Sequence, residues 1–105
     1  MKTRTAYLGI GSNIEPVRNI RSAIDALSDA FEPVMLSTAY RCTPVGFEGD
    51  DFLNLVAAVE TTLPPLELNR VLHGIEDMHG RDRSVPRWSS RTLDIDILLY
   101  DDLWL

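Results

Sequence analysis

Cysteine is nearly absent from this 105-residue chain. The single Cys42 excludes an internal disulfide and a cysteine-based zinc site, and before the Thr43–Gly46 turn it reads as a small buried hydrophobe. No run of about 18 apolar residues occurs, so no segment is expected to span a membrane as a helix. Met1-Lys2-Thr3-Arg4 runs into a strand-like pattern without the apolar stretch of a secretory signal, which makes the cytoplasm the expected compartment. Positive charge is scarce: 10 basic residues stand against 16 acidic ones, a net charge of -6. That balance argues against the broad basic footprint of a nucleic-acid binder. There is no P-loop, no kinase-type glycine loop, no Ser/His/Asp order, no internal repeat and no linker-like stretch.

What is present reads as one globular domain over residues 1–105, with 45% hydrophobic and 25% charged residues. A chain of this size buries roughly two-thirds of its unfolded surface, enough for one core without a metal staple. Tyr7–Gly11 alternates as a strand and breaks at Ser12-Asn13. Pro16 suits a first helical turn, and Val17, Ile20, Ile24, Leu27 and Phe31 then recur at helical spacing. Val34–Arg41 reads as a second strand, with Val34, Leu36, Thr38 and Tyr40 on one side. Residues 43–50 carry turn chemistry. In Phe52–Thr61, Leu53, Leu55, Ala57 and Val59 form one face, and Phe52, Asn54, Val56 and Ala58 the other. Pro64-Pro65 opens a second helix with Leu68, Val71, Leu72, Ile75 and Met78 as its stripe and Gly80 as its stop. Thr92–Tyr100 is the fourth strand. The order βαββαβ with right-handed crossovers predicts an α+β, ferredoxin-like two-layer sandwich: a four-stranded antiparallel sheet with both helices on one face.

The uncovered face is where chemistry collects. Period-2 alternation turns Leu93, Ile95, Ile97 and Leu99 toward the helices and Asp94 and Asp96 toward the open side, their Cα atoms about 6.8 Å apart. Two such carboxylates either form an ordinary polar strand face or converge on divalent cations. Aspartate is a poor strand former, and like charges on one face repel, so something must compensate. Oxygen-only ligation favours Mg2+. Arg81, Arg83, Arg87 and Arg91 precede this strand. They are either a solvated loop or, with Mg2+, the equipment of phosphoryl transfer. Phe52 beside Asn54 suits a flat heterocycle with donors and acceptors on its edge, although a half-exposed Phe and a surface Asn would look the same. Trp88 is either a buried anchor or a lid residue. His73 and His79 on the second helix read as surface or internally satisfied histidines.

Tyr7-Leu8-Gly9-Ile10-Gly11-Ser12-Asn13, Tyr40 to Gly46, Asp51-Phe52-Leu53-Asn54, Ile75-Glu76 with Gly80-Arg81-Asp82-Arg83, and Arg87 to Asp96 follow one another in a familiar order. The sequence resembles the 6-hydroxymethyl-7,8-dihydropterin pyrophosphokinase family of folate biosynthesis over essentially its whole length. Arg87-Trp88 with Arg91-Thr92-Leu93-Asp94-Ile95-Asp96 is the most specific part of the match.

The resemblance implies transfer of pyrophosphate from ATP to the pterin hydroxymethyl group, with release of AMP. It implies that Asp94 and Asp96 hold two Mg2+ ions, that Arg81, Arg83 and Arg91 organise the triphosphate, and that Arg87 and Trp88 belong to a catalytic loop. Phe52 would stack on the pterin, Asn54 would bond its edge, and Cys42, Pro44, Val45 and Gly46 would wall its pocket. His73, Glu76 and Ile97 would meet the nucleoside. ATP and the pterin are the expected partners of a monomer, with no nucleic acid or membrane.

The departures from the family are Cys42 in place of a hydroxyl residue, Ser84 in place of a basic one and His73 in place of an amide. The family also continues past Leu105, with a nucleotide-binding segment and a second aromatic against the pterin. The expectation is therefore a core that folds but turns over poorly alone. The alternative is a non-catalytic nucleotide- or pterin-binding module of the same fold.

Overall fold

The computed structural model describes residues 3–44, 46, 49–80 and 92–101, and the backbone of 103–104. The elements run β1 (Arg4–Ser12), α1 (Pro16–Ala30), β2 (Val34–Leu36), β3 (Tyr40–Cys42), β4 (Phe52–Thr61), α2 (Pro65–Met78), β5 (Asp94–Tyr100) and β6 (Leu103–Trp104). Among the described residues this is an α+β arrangement of two helices and one sheet, whose strand pairs are antiparallel. The strand order is β2-β4-β1-β5-β6, with β3 also on β4, an order compatible with a ferredoxin-like sandwich. β1 is thus central, between β4 and β5.

The core is one cluster. Ala6, Leu8 and Ile10 of β1, Leu55, Ala57 and Val59 of β4, and Ile95 and Tyr100 of β5 join Ile20, Ala23 and Leu27 of α1 and Leu68, Leu72 and Ile75 of α2. The alternation expected for β1 and β4 is what puts these strand residues inside. The helix stripes are narrower than expected: Val17 is 56% exposed and Met78 is 71% exposed. Both lie in the terminal turn of their helix, where the stripe runs past its partners. Glu76, two residues before Met78, is instead buried.

The ends of α1 and α2 follow local chemistry. Pro sits in the first turn of each helix. Asn19 Nδ2 donates to the Ile14 carbonyl at 2.6 Å, tying the first turn of α1 to the chain before it. Gly80 closes α2 at φ 75°, a left-handed conformation that glycine adopts without a Cβ clash, and its N–H donates to Asp77 O at 3.2 Å. His79 Nδ1 lies 2.7 Å from the Ile75 carbonyl, which can only accept, so this histidine is satisfied within its own helix.

Two strands depart from strict alternation. The segment expected as one strand over Val34–Arg41 divides into β2 and β3. Ser37 donates its N–H to Val56 O and accepts the Val56 N–H on Oγ, both at 2.8 Å, so a hydroxyl takes a backbone place in the ladder. Leu36 pairs with Ala57, but Tyr40 pairs with Asn54, so four residues on one strand oppose three on the other. Tyr40 therefore lies on the face opposite Val34 and Leu36, not beside them. In β5 the register passes from Leu8–Ile97 to Tyr7–Leu99, which leaves Leu98 as the extra residue of a bulge. Parity reverses there. Tyr100 enters the core, its hydroxyl donating to Leu63 O at 2.6 Å, while Leu99 sits opposite half-exposed Tyr7 rather than toward the helices.

Candidate active site

The face of β1, β4 and β5 opposite the buried cluster carries Gly9 and Gly11 at its centre. Antiparallel register sets Asp94, Gly11, Asn54 and Tyr40 in one line across β5, β1, β4 and β3. The neighbouring line is Asp96, Gly9 and Val56. With strands about 4.8 Å apart, the Asp94 and Asn54 backbones are about 10 Å from each other, with only a glycine between them. The result is an open cavity of ≈ 270 Å3 lined by Gly9, Gly11, Tyr40, Phe52, Asn54, Asp94, Asp96 and Leu98, among others. That is near the lower end of small-molecule pockets, which begin at about 300 Å3.

The glycines make the floor. A Cβ on Gly11 would lie 2.6 Å from Asn54 Oδ1, so the carboxamide rests directly over the β1 backbone. A Cβ on Gly9 would meet the Leu98 side chain at 3.3 Å. The turn beyond β1 is fixed separately: Asn13 is 3% exposed and donates through Nδ2 to the Asp50 carbonyl at 3.1 Å, tying the end of β1 to the chain entering β4.

Four of the residues expected at the site, Phe52, Asn54, Asp94 and Asp96, come together in this cavity. Asp94 is partly buried and Asp96 exposed. Cys42 is half-buried and pairs with Phe52 across β3 and β4, but it is not among the lining residues. Pro44 and Gly46 lie in the turn beyond β3, also outside the lining. Val45, Arg81, Arg83, Arg87, Trp88 and Arg91 lie outside the described residues.

The three nucleoside expectations do not converge on this cavity. Ile97 packs against the core, His73 is exposed on α2, and Glu76 is 2% exposed, its Oε2 accepting the Ile95 N–H at 2.8 Å.

Sequence reasoning missed Tyr40 and Leu98 as lining residues. The hydroxyl of Ser37 is the available signal for Tyr40. For Leu98, strict alternation on from Asp94 and Asp96 is enough to place it on their face.

The donor set suits a hard cation. Asp94 and Asp96 offer only oxygen, and among the described residues no His or Cys lines the same cavity. Among the described residues no group of three or more His, Cys, Asp or Glu side chains is placed to hold a metal. Two carboxylates alone leave most of a coordination sphere to water and to phosphate oxygens, the usual pattern for Mg2+ at a nucleotide site.

Comparison with known proteins gives the family likeness of the chain. The sequence model for 7,8-dihydro-6-hydroxymethylpterin-pyrophosphokinase (HPPK) matches residues 7–105. The 2-amino-4-hydroxy-6-hydroxymethyldihydropteridine pyrophosphokinase of Haemophilus influenzae is 42% identical over 100 residues, covering 91% of this chain and 62% of that protein. The Aquifex aeolicus protein of the same name is 40% identical over 100 residues, covering 93% and 62%. The Pseudomonas putida one is 41% identical over 103 residues, covering 95% and 85%. The chain therefore spans about three-fifths of the length of the first two relatives.

Proposed function

The chain belongs to the 7,8-dihydro-6-hydroxymethylpterin-pyrophosphokinase family, and from that membership we propose that it serves ATP-dependent pyrophosphoryl transfer to 6-hydroxymethyl-7,8-dihydropterin in folate biosynthesis. The observation that carries the reading is the single cavity lined by Phe52 and Asn54 at one side of a glycine floor and Asp94 and Asp96 at the other. An aromatic and a carboxamide suit the pterin; two carboxylates suit a cation–triphosphate.

In the reaction the pterin hydroxymethyl oxygen attacks the β-phosphorus of ATP. The new O–Pβ bond forms as the bond from Pβ to the α,β-bridging oxygen breaks. AMP leaves with that electron pair, and the hydroxyl proton is released. Asp94 and Asp96 would hold Mg2+, two ions in this reading, which when bound neutralises triphosphate charge. Phe52 stacks on the heterocycle, and Asn54, braced over Gly11, bonds its edge, so the acceptor is oriented before reaction. Cys42, Pro44, Val45 and Gly46 would wall the pterin pocket, a role that family membership suggests for them. Arg81, Arg83 and Arg91 would supply positive charge to the triphosphate, and Arg87 and Trp88 would serve as catalytic-loop residues, the roles that family membership suggests for them.

The fold in this reading is the ferredoxin-like sandwich with both helices on one face, residues 1–105 acting as one domain and as a monomer in the cytoplasm. No helix among the described residues is long and apolar enough to cross a membrane. Release of AMP from ATP, dependent on Mg2+ and on the reduced hydroxymethylpterin, tests the reading. Release of ADP, or AMP formation indifferent to the pterin, overturns it.

A further inference from the structure

Glu76 is the feature of the core that packing does not explain. It sits in the last turns of α2 with Leu72 and Ile75 on the buried side, and it is 2% exposed. A carboxylate removed from water is costly unless it is hydrogen-bonded, and an apolar residue would fill the same space more favourably. Its Oε2 accepts the backbone N–H of Ile95 at 2.8 Å. Ile95 stands between Asp94 and Asp96, and its own side chain is 1% exposed in the core. β6 pairs only with Leu99 and Tyr100, so among the described residues the beginning of β5 has β1 as its one strand neighbour. The Ile95 N–H therefore finds its acceptor on α2.

We infer that Glu76 is a positioning residue: through the Ile95 N–H it pins the start of β5 to α2 and so fixes the spacing and direction of the Asp94 and Asp96 carboxylates on the opposite face. The inference rests on the reading of those aspartates as the cation site. It gives Glu76 a reach-dependent role within the chain, not a charge-dependent role toward the nucleotide. Groups that orient metal-binding side chains without touching the metal change metal affinity about 10- to 100-fold when removed.

Two mild substitutions separate reach from charge. Glu76→Gln keeps an oxygen at the same distance and loses the charge; Glu76→Asp keeps the charge and withdraws it by one methylene. Mn2+ binding in the presence of a non-hydrolysable ATP analogue is followed by electron paramagnetic resonance, and exchange of the Ile95 amide proton by NMR. The expected result is Mn2+ affinity within about threefold of the parent chain for Glu76→Gln, with the Ile95 amide still protected. For Glu76→Asp the affinity falls about 10- to 100-fold and the amide is deprotected. Pterin-analogue affinity changes in neither, because Phe52 and Asn54 lie on β4. The reverse order, Gln losing affinity and Asp keeping it, overturns the inference, as does unchanged affinity in both or equal loss in both. A parent protein extended to the full length of the Haemophilus influenzae relative that still binds no Mn2+–nucleotide overturns the functional reading first and this inference with it.

Discussion

Replacing Gly11 by alanine should raise stability and weaken pterin binding in one stroke. The new methyl would lie 2.6 Å from Asn54 Oδ1, well inside contact, while the next atoms are Asn54 Cγ at 3.6 Å and Leu53 O at 3.8 Å. The conflict is therefore with the far end of one side chain, and a rotation of the carboxamide relieves it without moving β1. For the fold, a Gly→Ala change at an unstrained position restricts the unfolded chain and contributes about 0.4–1 kcal/mol. For the ligand, a displaced Asn54 leaves a desolvated heterocycle edge without its partner, which costs about 1–3 kcal/mol, or about 5- to 150-fold in affinity. Pterin affinity by fluorescence titration and midpoint by thermal unfolding read the two effects separately. The double variant with Asn54→Ala should bind no more weakly than Asn54→Ala alone, because both changes remove the same contact. Unaltered pterin affinity in Gly11→Ala, or additive losses in the double variant, would refute the claim that Gly11 acts by bracing Asn54.

Asp94→Asn and Asp96→Asn should each remove Mg2+-dependent turnover while the unfolding midpoint stays within a few degrees, since both side chains line an open cavity and neither joins the core; near-normal turnover in either sinks the cation assignment. Phe52→Ala should lower pterin-analogue affinity by about 0.5–1.5 kcal/mol from stacking, plus lost burial, and leave nucleotide affinity alone. Tyr100→Phe should cost about 1–3 kcal/mol in chemical denaturation, because the Leu63 carbonyl loses its 2.6 Å donor, with no effect on ligand binding.

The site is legible in the sequence where alternation is strict. β4, β1 and the first half of β5 keep period 2, so the residue pattern alone assigns Phe52, Asn54, Asp94 and Asp96 to one face. It is not legible where one residue is inserted in a ladder. A serine hydroxyl replacing a backbone group at Ser37, and the extra Leu98, each reverse the parity of everything beyond them. Neither leaves a mark in hydrophobic pattern, because Tyr40, Leu99 and Tyr100 are acceptable on either face of a sheet. Glu76 is legible as a named position in the family resemblance but not as a buried one, since burial of a carboxylate depends on a strand N–H 19 residues away that needs an acceptor. The helix ends err in the other direction: Val17 and Met78 fit the stripe by spacing yet stand exposed in the terminal turns.

Phosphorus NMR of one reaction mixture bears most directly on the account. This chain, joined to the remaining two-fifths of the Haemophilus influenzae relative so that the protein has that relative's full length, is incubated with ATP, Mg2+ and 6-hydroxymethyl-7,8-dihydropterin. AMP and a pterin diphosphate ester are expected in equal amounts, both absent from the Asp94→Asn and Asp96→Asn proteins. ADP with a pterin monophosphate, or undiminished product from either aspartate variant, would contradict this expectation.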